Sequence, residues 1–224
     1  MAWSLREVEQ QMAEHGIFIP PGHELVANNG ARFERFKPMD SRWKRSKEAW
    51  YVLFENRTQS GKTYFAGCYG IADEKYLVEM SRNAAFTAEE RKEVEVQREE
   101  NRKRVESMIE AQRKECKDKA LKLWNAATDS ISASLPYIVK KGIRPIGARQ
   151  LRNQILIPMC QVNPDHLEAL SLVSLQIITE AETDDGGKEI KKVFLTGTPK
   201  KGSFCLLKPP GTPESNIVYV CEGW

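Results

Sequence analysis

The chain has 224 residues, of which 34 are lysine or arginine and 31 are aspartate or glutamate, for a formal net charge of +3. This near-balance excludes a generally basic protein that coats nucleic acid, and no apolar run approaches the ~20 residues that span a bilayer. Five scattered cysteines without a Cys-x-x-Cys pair argue against both a disulfide framework and a zinc site. These features predict a soluble, cytoplasmic protein without zinc.

The segment 1–86 predicts a small α+β module. A helix is expected over 4–15, where Ser4 can cap the first turn and Glu7 completes a capping box. Turn residues then separate predicted strands over 31–37, 49–55 and 62–68. We therefore expect a small antiparallel sheet packed on one or two helices.

A cluster of cations falls within residues 32–47. Its basic members are Arg32, Arg35, Lys37, Arg42, Lys44, Arg45 and Lys47. Aromatic residues lie among them or close by, namely Phe33, Phe36, Trp43, Trp50 and Tyr51. Such cations can neutralise phosphates, and aromatic rings can stack on unpaired bases. The same pattern also fits a half-buried sheet. We expect the aromatic residues in the core and leave open whether the cations bind nucleic acid or are simply solvated.

Residues 87–127 predict one long, charged helix. Thr87 and Glu90 form a capping box, and no proline or glycine interrupts the following residues. The apolar stripe is thin before residue 105 and denser from there to Trp124. We expect a helical connector whose first half is solvated and whose second half docks on the C-terminal domain.

Residues 128–224 predict a mixed α/β domain. A short helix and turns are expected over 131–150, because prolines and glycines interrupt that region. Strands are predicted over 154–159, 171–179, 190–195, 203–207 and 217–221. The Asp184-Asp185-Gly186-Gly187 stretch is expected to be a hairpin turn and not a metal site. The last strand delivers Glu222 and Gly223 at its carboxyl end, where open α/β sheets bind their ligands.

Four blocks within residues 135–224 resemble the catalytic core of Toprim-type DNA primases, especially primases and primase-helicases of phages and plasmids. In chain order, the blocks are Leu135–Ile143, then Leu156–Met159 with Leu172–Ile178, then Lys191–Gly197, and finally Val218–Gly223. The third contains Lys-Lys-Val-Phe-Leu-Thr-Gly, which is similar to the family's Lys-x-Phe-Leu-x-Gly. Each block alone is unspecific, but all four stand in the family's order.

The resemblance implies a nucleotidyltransferase that makes RNA primers on single-stranded DNA with Mg²⁺. Glu222 would be its catalytic residue and one metal ligand. The family's Asp-x-Asp, which completes the metal site, lies on a later strand that is not in this sequence. Because two-metal chemistry needs several converging carboxylates, we expect an inactive N-terminal fragment that still binds template.

The resemblance also assigns partners and binding residues. The family uses this subdomain as one wall of a basic cleft for template and nucleotide, and a replicative helicase is a possible further partner. The corresponding cations here are Lys140, Lys141, Arg144, Arg149, Arg152, Lys191, Lys192, Lys200 and Lys201. The position of the 1–86 module in the chain implies a zinc-free DNA-binding role.

Two other interpretations remain open, and one motif is rejected. The chain could be a non-catalytic DNA-binding or interaction protein of a phage or plasmid replication system. It could also be a nuclease or topoisomerase relative, although the blocks favour primase. Gly61-Lys62-Thr63 lacks the earlier glycine of a phosphate-binding loop, and it is expected between two strands.

Overall fold

The computed structural model describes residues 4–39, 49–71, 74–79, 86–163, 166–182 and 186–206. It confirms the α+β class, because helices combine with two antiparallel sheets of four strands each. The chain divides into two compact units, Met1–Ala111 and Gln112–Trp224. Within the described ranges, no helix is long and apolar enough to cross a membrane.

The first unit begins with helix α1 (Leu5–Glu14) and continues into a four-stranded sheet. Its strands are β1 (Glu34–Phe36), β2 (Ala49–Arg57), β3 (Thr63–Ile71) and β4 (Glu74–Leu77), which pair in chain order. Helix α2 (Ala88–Ala126) follows. The predicted helix and three strands are therefore confirmed, while β4 was not predicted.

Both faces of the first sheet are buried. Successive residues of a strand point to opposite faces, and β2 is apolar on both sides. Tyr51 and Leu53 pack in the cluster that contains Met12 of α1. Val52 and Phe54 instead pack with Val105 of α2. The sheet thus lies between α1 and the first half of α2. The prediction that the aromatic residues are core is confirmed for Phe36 and Tyr51, which are 6% and 1% exposed, while Trp43 lies outside the described residues.

The first half of α2 is not a solvated arm, and that prediction was wrong. Val94 and Val105 are 2% and 4% exposed, and each packs with residues of the first sheet. The apolar stripe looked thin because Glu90 and Asn101, which are buried, are polar. Hydropathy therefore missed this interface. The docking of the second half on the second sheet is confirmed from Cys116 onwards, whereas Val105, where that half was expected to begin, packs on the first sheet.

Glu90 joins the start of α2 to the β2–β3 hairpin. Its backbone N–H donates to Thr87 Oγ1 at 3.2 Å, and its carboxylate accepts from the Thr87 N–H at 2.8 Å, which confirms the capping box. The same carboxylate accepts from Ser60 Oγ at 2.5 Å and from Lys62 Nζ at 2.8 Å. These donors favour the charged form, so they lower the pKa of Glu90 from 4.5 to about 2, with the Lys62 hydrogen bond as the largest cause.

The hairpin of Gly61 and Lys62 is not a phosphate-binding loop. Gly61 lies between β2 and β3, which pair in antiparallel from Arg57 and Thr63 onwards. A phosphate-binding loop would instead follow a strand and open a helix. The Lys62 ammonium is already engaged with Glu90. The rejection of that motif is therefore confirmed.

We expect Glu90→Gln to lower the melting temperature of the protein at pH 7, because the amide cannot form the ion pair with Lys62. Since folding depresses the pKa of Glu90, its stabilising contribution is present above about pH 4.5 and is lost as the pH falls towards 2. The difference between wild type and variant should therefore shrink over that interval. Thermal unfolding at a series of pH values measures it. Glu89→Gln, at an exposed site in the same turn, is the control. An equal drop in melting temperature in both variants would mean that the contacts of Glu90 with Ser60 and Lys62 do not stabilise the protein.

The second unit contains the C-terminal part of α2, a short helix and the second sheet. These elements are α3 (Pro136–Lys141), β5 (Arg149–Leu151), β6 (Gln154–Asn163), β7 (His166–Glu182) and β8 (Lys188–Phe194). All neighbouring strands are antiparallel. The strands predicted over 154–159, 171–179 and 190–195 are confirmed. Strands β7 and β8 pair in antiparallel up to Glu182 and Lys188, whereas Asp184 and Asp185 of the predicted turn lie outside the described residues.

Two of the predicted strands have a different outcome. In the 203–207 region, Phe204 forms an isolated bridge with Cys160 and not a strand. The predicted 217–221 strand lies outside the described residues. Strand β5 was not predicted from the sequence, because three residues carry too little periodicity to recognise.

The second sheet also has two covered faces. On one, which we call the α3 face, Ile155, Ile157 and Ile178 pack with Tyr137 and Ile138 of α3. On the other, which we call the α2 face, Leu156 and Leu175 pack with Cys116 and Ala120 of α2. The alternation along β6 therefore fixes which side chains of the second unit share a surface.

Candidate nucleic-acid interface

Strand β8 separates the two lysines that the sequence placed together. Lys192 lies opposite Ile178, and Lys191 lies opposite Thr179. Because Ile178 packs on the α3 face and adjacent strand residues point in opposite directions, Lys192 lies on the α3 face and Lys191 on the α2 face. Lys191 Nζ also lies 3.2 Å from Glu189 Oε1. The two lysines therefore do not act on one surface.

Helix α3 brings its own cations next to Lys192. The Lys192 Nζ atom lies 5.0 Å from the centroid of the Tyr137 ring, so α3 and the end of β8 adjoin. Lys140 and Lys141 occupy the last turn of α3 and are exposed. Gly142 ends the helix with φ of 62°, a left-handed conformation that glycine adopts without steric cost. The α3 face thus combines three lysines from two elements that are distant in sequence.

Arg149 has a structural role instead. Its Nε lies 2.7 Å from Asp129 Oδ1, and its Nη1 donates to the Trp124 carbonyl at 3.0 Å. The guanidinium also lies 4.7 Å from the centroid of the Trp124 ring. Because Trp124 belongs to the last turn of α2, Arg149 supplies a second donor to a carbonyl at the helix end, which also accepts from the Ala127 N–H at 3.3 Å. These three contacts hold the guanidinium of Arg149 against the end of α2 and Asp129.

The other predicted cations of this unit are exposed in loops. Arg144 follows α3, and Arg152 adopts φ of 55° in the turn between β5 and β6. Lys200 and Lys201 follow β8, and Lys200 Nζ lies 5.6 Å from the centroid of the Phe194 ring. Arg152 neighbours Asn153, which lines a shallow crevice with Tyr137 of α3. The structure therefore brings Lys200 to Phe194 of β8 and leaves Arg144, Arg152 and Lys201 exposed in loops.

The predicted cations of the first unit lie on or beside β1. Arg32 Nε lies 2.6 Å from Glu34 Oε1, and this pairing raises the pKa of the guanidinium. Arg35 lies opposite Trp50 in the sheet. Lys37 is exposed just after the strand. The structure brings Arg35 beside an aromatic residue, but the remaining predicted cations Arg42, Lys44, Arg45 and Lys47 lie outside the described residues.

Nothing in the described ranges forms a metal centre, since no three histidine, cysteine or carboxylate side chains converge there. Glu222, the predicted catalytic residue and metal ligand, lies outside those ranges. Cys205 packs on the α3 face, where burial raises the pKa of its thiol to about 11. It is therefore protonated at neutral pH and is not an activated nucleophile.

Comparisons with family models, curated proteins and solved structures found no match.

Sequence reasoning missed two residues of the α3 face. Phe194 and Gln176 lie opposite each other on β8 and β7, and Phe194 is 38% exposed. Both residues stand in blocks of the primase resemblance, Gln176 in the second and Phe194 in the third, but the resemblance gives neither of them a role. The signal for a shared face was the even spacing of Phe194 from Lys192, which predicts that face once the strand is recognised.

Proposed function

We propose that the chain is the N-terminal part of a Toprim-type DNA primase and that its second unit holds single-stranded DNA on the α3 face. The observation that carries the proposal is the approach of Lys192 to the Tyr137 ring, at 5.0 Å. It joins the first and third blocks of the primase resemblance, which are far apart in the sequence. Both contribute lysines to the same surface.

Physical chemistry supports this use of the surface. Lysines neutralise backbone phosphates and release condensed counterions, so binding weakens as salt increases. Lys140 and Lys141 are exposed, which leaves them within reach of a polymer of phosphates. A lysine-bearing surface of this kind would tolerate many DNA sequences. It matches a protein that must hold a template and not read it.

From the resemblance we further propose Mg²⁺-dependent primer synthesis by the intact enzyme, with Glu222 as one metal ligand. A single glutamate does not make a Mg²⁺ site, which needs near-octahedral oxygen coordination. We therefore derive no catalytic step for this chain and assign it binding of template and nucleotide. The cations around Arg35 in the first unit are proposed as a further contact with DNA.

We expect the chain to bind a short single-stranded DNA at micromolar concentration in low salt. Lys192→Gln should weaken binding several-fold and lower the slope of log affinity against log salt by about 0.7, the amount for one phosphate contact on a single strand. Fluorescence anisotropy across a salt series measures both quantities.

Lys191→Gln is the matched control for that experiment, because the neighbouring lysine lies on the opposite face. It should leave affinity and slope close to wild type. Equal effects of the two substitutions would mean that the net charge of the protein matters and the α3 face does not. Absence of binding at low salt would remove the proposed template site.

A second candidate is a non-catalytic DNA-binding or interaction protein. It is favoured by the same lysine-bearing face, which needs no metal to bind DNA. The two candidates predict different sequences after residue 224 of the reading frame. A primase requires an Asp-x-Asp within the next hundred or so residues, and a non-catalytic binding protein does not. A protein that includes such a segment and still makes no primer with Mg²⁺ and nucleotides would favour the second candidate.

A further inference from the structure

Phe194 stands at the end of β8 on the α3 face, two residues beyond Lys192. It lies opposite Gln176, whose other neighbour across the sheet is Ile157 of the α3-face cluster. The Phe194 side chain is 38% exposed. A large aromatic side chain therefore reaches solvent on the same surface as the proposed phosphate-binding lysines.

Lysines lie on both sides of this ring along the chain. Lys192 precedes it on the same face, and Lys200 Nζ lies 5.6 Å from the ring centroid. A ring with the Lys200 ammonium over it suits a nucleotide, because the base can stack on the ring when the flexible Lys200 side chain turns to the phosphate. A purely apolar partner would instead have to desolvate those charges, which costs free energy.

Gln176 adds a group that can recognise a base edge. Its amide carries both a donor and an acceptor, and it forms no side-chain hydrogen bond with any residue in the described part of the chain. It lies beside Phe194 across the ladder. A base stacked on the ring would present its edge near this amide.

We infer that Phe194, Gln176 and Lys200 form a stacking subsite for one unpaired nucleobase. The inference rests on the proposed function, which supplies the bound single strand, and adds the base to a site so far argued only from phosphates. Because a base in a duplex is stacked on its neighbours and unavailable, this subsite makes the chain prefer single strands to duplexes.

The test uses the full chain and three labelled ligands of equal length: a single-stranded DNA, the same strand with abasic sites throughout, and a duplex. Phe194→Ala should weaken binding of the ordinary single strand about 5- to 150-fold, the range expected for loss of one base–aromatic stack. Binding of the abasic strand should not change, and the salt slope should stay at its wild-type value.

Phe204→Ala is the matched control, since Phe204 is also 38% exposed. Phe204 pairs with Cys160, and the partner of Cys160 on β7 is Leu172, which packs in the α2-face cluster. The next residue, Cys205, packs on the α3 face. Phe204 therefore points away from the α3 face. Its substitution should leave all three affinities unchanged.

Two conservative variants separate stacking from folding. Phe194→Tyr keeps an aromatic face and should bind the single strand within about twofold of wild type, whereas Phe194→Leu keeps apolar bulk and should bind as weakly as Phe194→Ala. Wild-type affinity in Phe194→Leu would overturn the subsite, and so would an equal loss on the abasic strand or equal binding of the duplex by the wild type. If the wild type binds neither single strand, the proposed function fails as well.

Discussion

Replacement of Gly67 by alanine is expected to destabilise the first unit by about 3–5 kcal/mol, the upper end of single-substitution effects. Gly67 lies in the middle of β3 with φ of +140°, opposite Leu53 of β2. A Cβ atom there would lie 2.1 Å from the Val52 carbonyl oxygen and 3.1 Å from the Leu53 Cα. Both are backbone atoms of the neighbouring strand, so they cannot move aside without breaking the ladder.

A hydrogen bond to β3 also depends on the backbone position of Gly67. The carbonyl of Gly67 accepts from the Val78 N–H at 3.0 Å, and Val78 belongs to the core cluster of α1. Urea unfolding followed by far-ultraviolet circular dichroism measures the loss of stability. Hydrogen exchange of the β2 and β3 amides should show that the loss is concentrated in these strands.

Gly61→Ala separates the clash from backbone strain. Gly61 also has positive φ, at +90°, but the nearest atom to a Cβ there is the flexible Arg57 Nη2 at 3.8 Å. It should cost only the roughly 1–2 kcal/mol of a left-handed non-glycine residue. Equal destabilisation by the two substitutions would show that the close approach to Val52 is unimportant.

Replacement of Ile178 by alanine is expected to cost about 2–5 kcal/mol in the second unit, as for other large-to-small changes in a core. Ile178 is 1% exposed and packs with Tyr137 and Ile138 of α3. It also lies opposite Lys192. The cavity would therefore form directly beneath the elements that carry the proposed template-binding lysines.

This substitution should also change function if the proposed site is correct. Loosening of α3 would reduce single-strand affinity even at temperatures where the second unit stays folded. Denaturation and fluorescence anisotropy on the same preparation measure the two effects. Val139→Ala, on the 67% exposed position of α3, should stay within about 0.5 kcal/mol of wild type, as most surface changes do. If Ile178→Ala is destabilised but binds DNA as wild type, the packing of α3 does not organise the site.

Local signals in the sequence predicted most of the fold. The capping boxes at Ser4 and Thr87 gave the starts of two helices, because an unpaired N–H group at a helix start needs an acceptor nearby. The interface of α2 with the first sheet was missed for the opposite reason. It buries Glu90 and Asn101, and whether a buried polar side chain has a partner depends on distant residues such as Ser60 and Asn56.

The candidate site was predicted less well, since it depends on strand register. The sequence marked Lys191 and Lys192 equally, but one residue of register decides which of them shares a face with α3. It marked Arg149 as a cation, but not that Asp129 and the Trp124 carbonyl would engage it. Proximity of Phe194 to Gln176 also follows from pairing of β7 with β8, which no local pattern encodes.

The division between the two units falls inside α2, between Ala111 and Gln112. Starting a helix is costly, whereas extending an existing one adds a hydrogen bond for each residue ordered. Whichever unit folds first can thus act as the nucleus from which α2 grows into the other. Dissection of the chain at this boundary would leave each fragment to start its own half of the helix, so fragments cut outside α2 should fold more readily than fragments cut at Ala111.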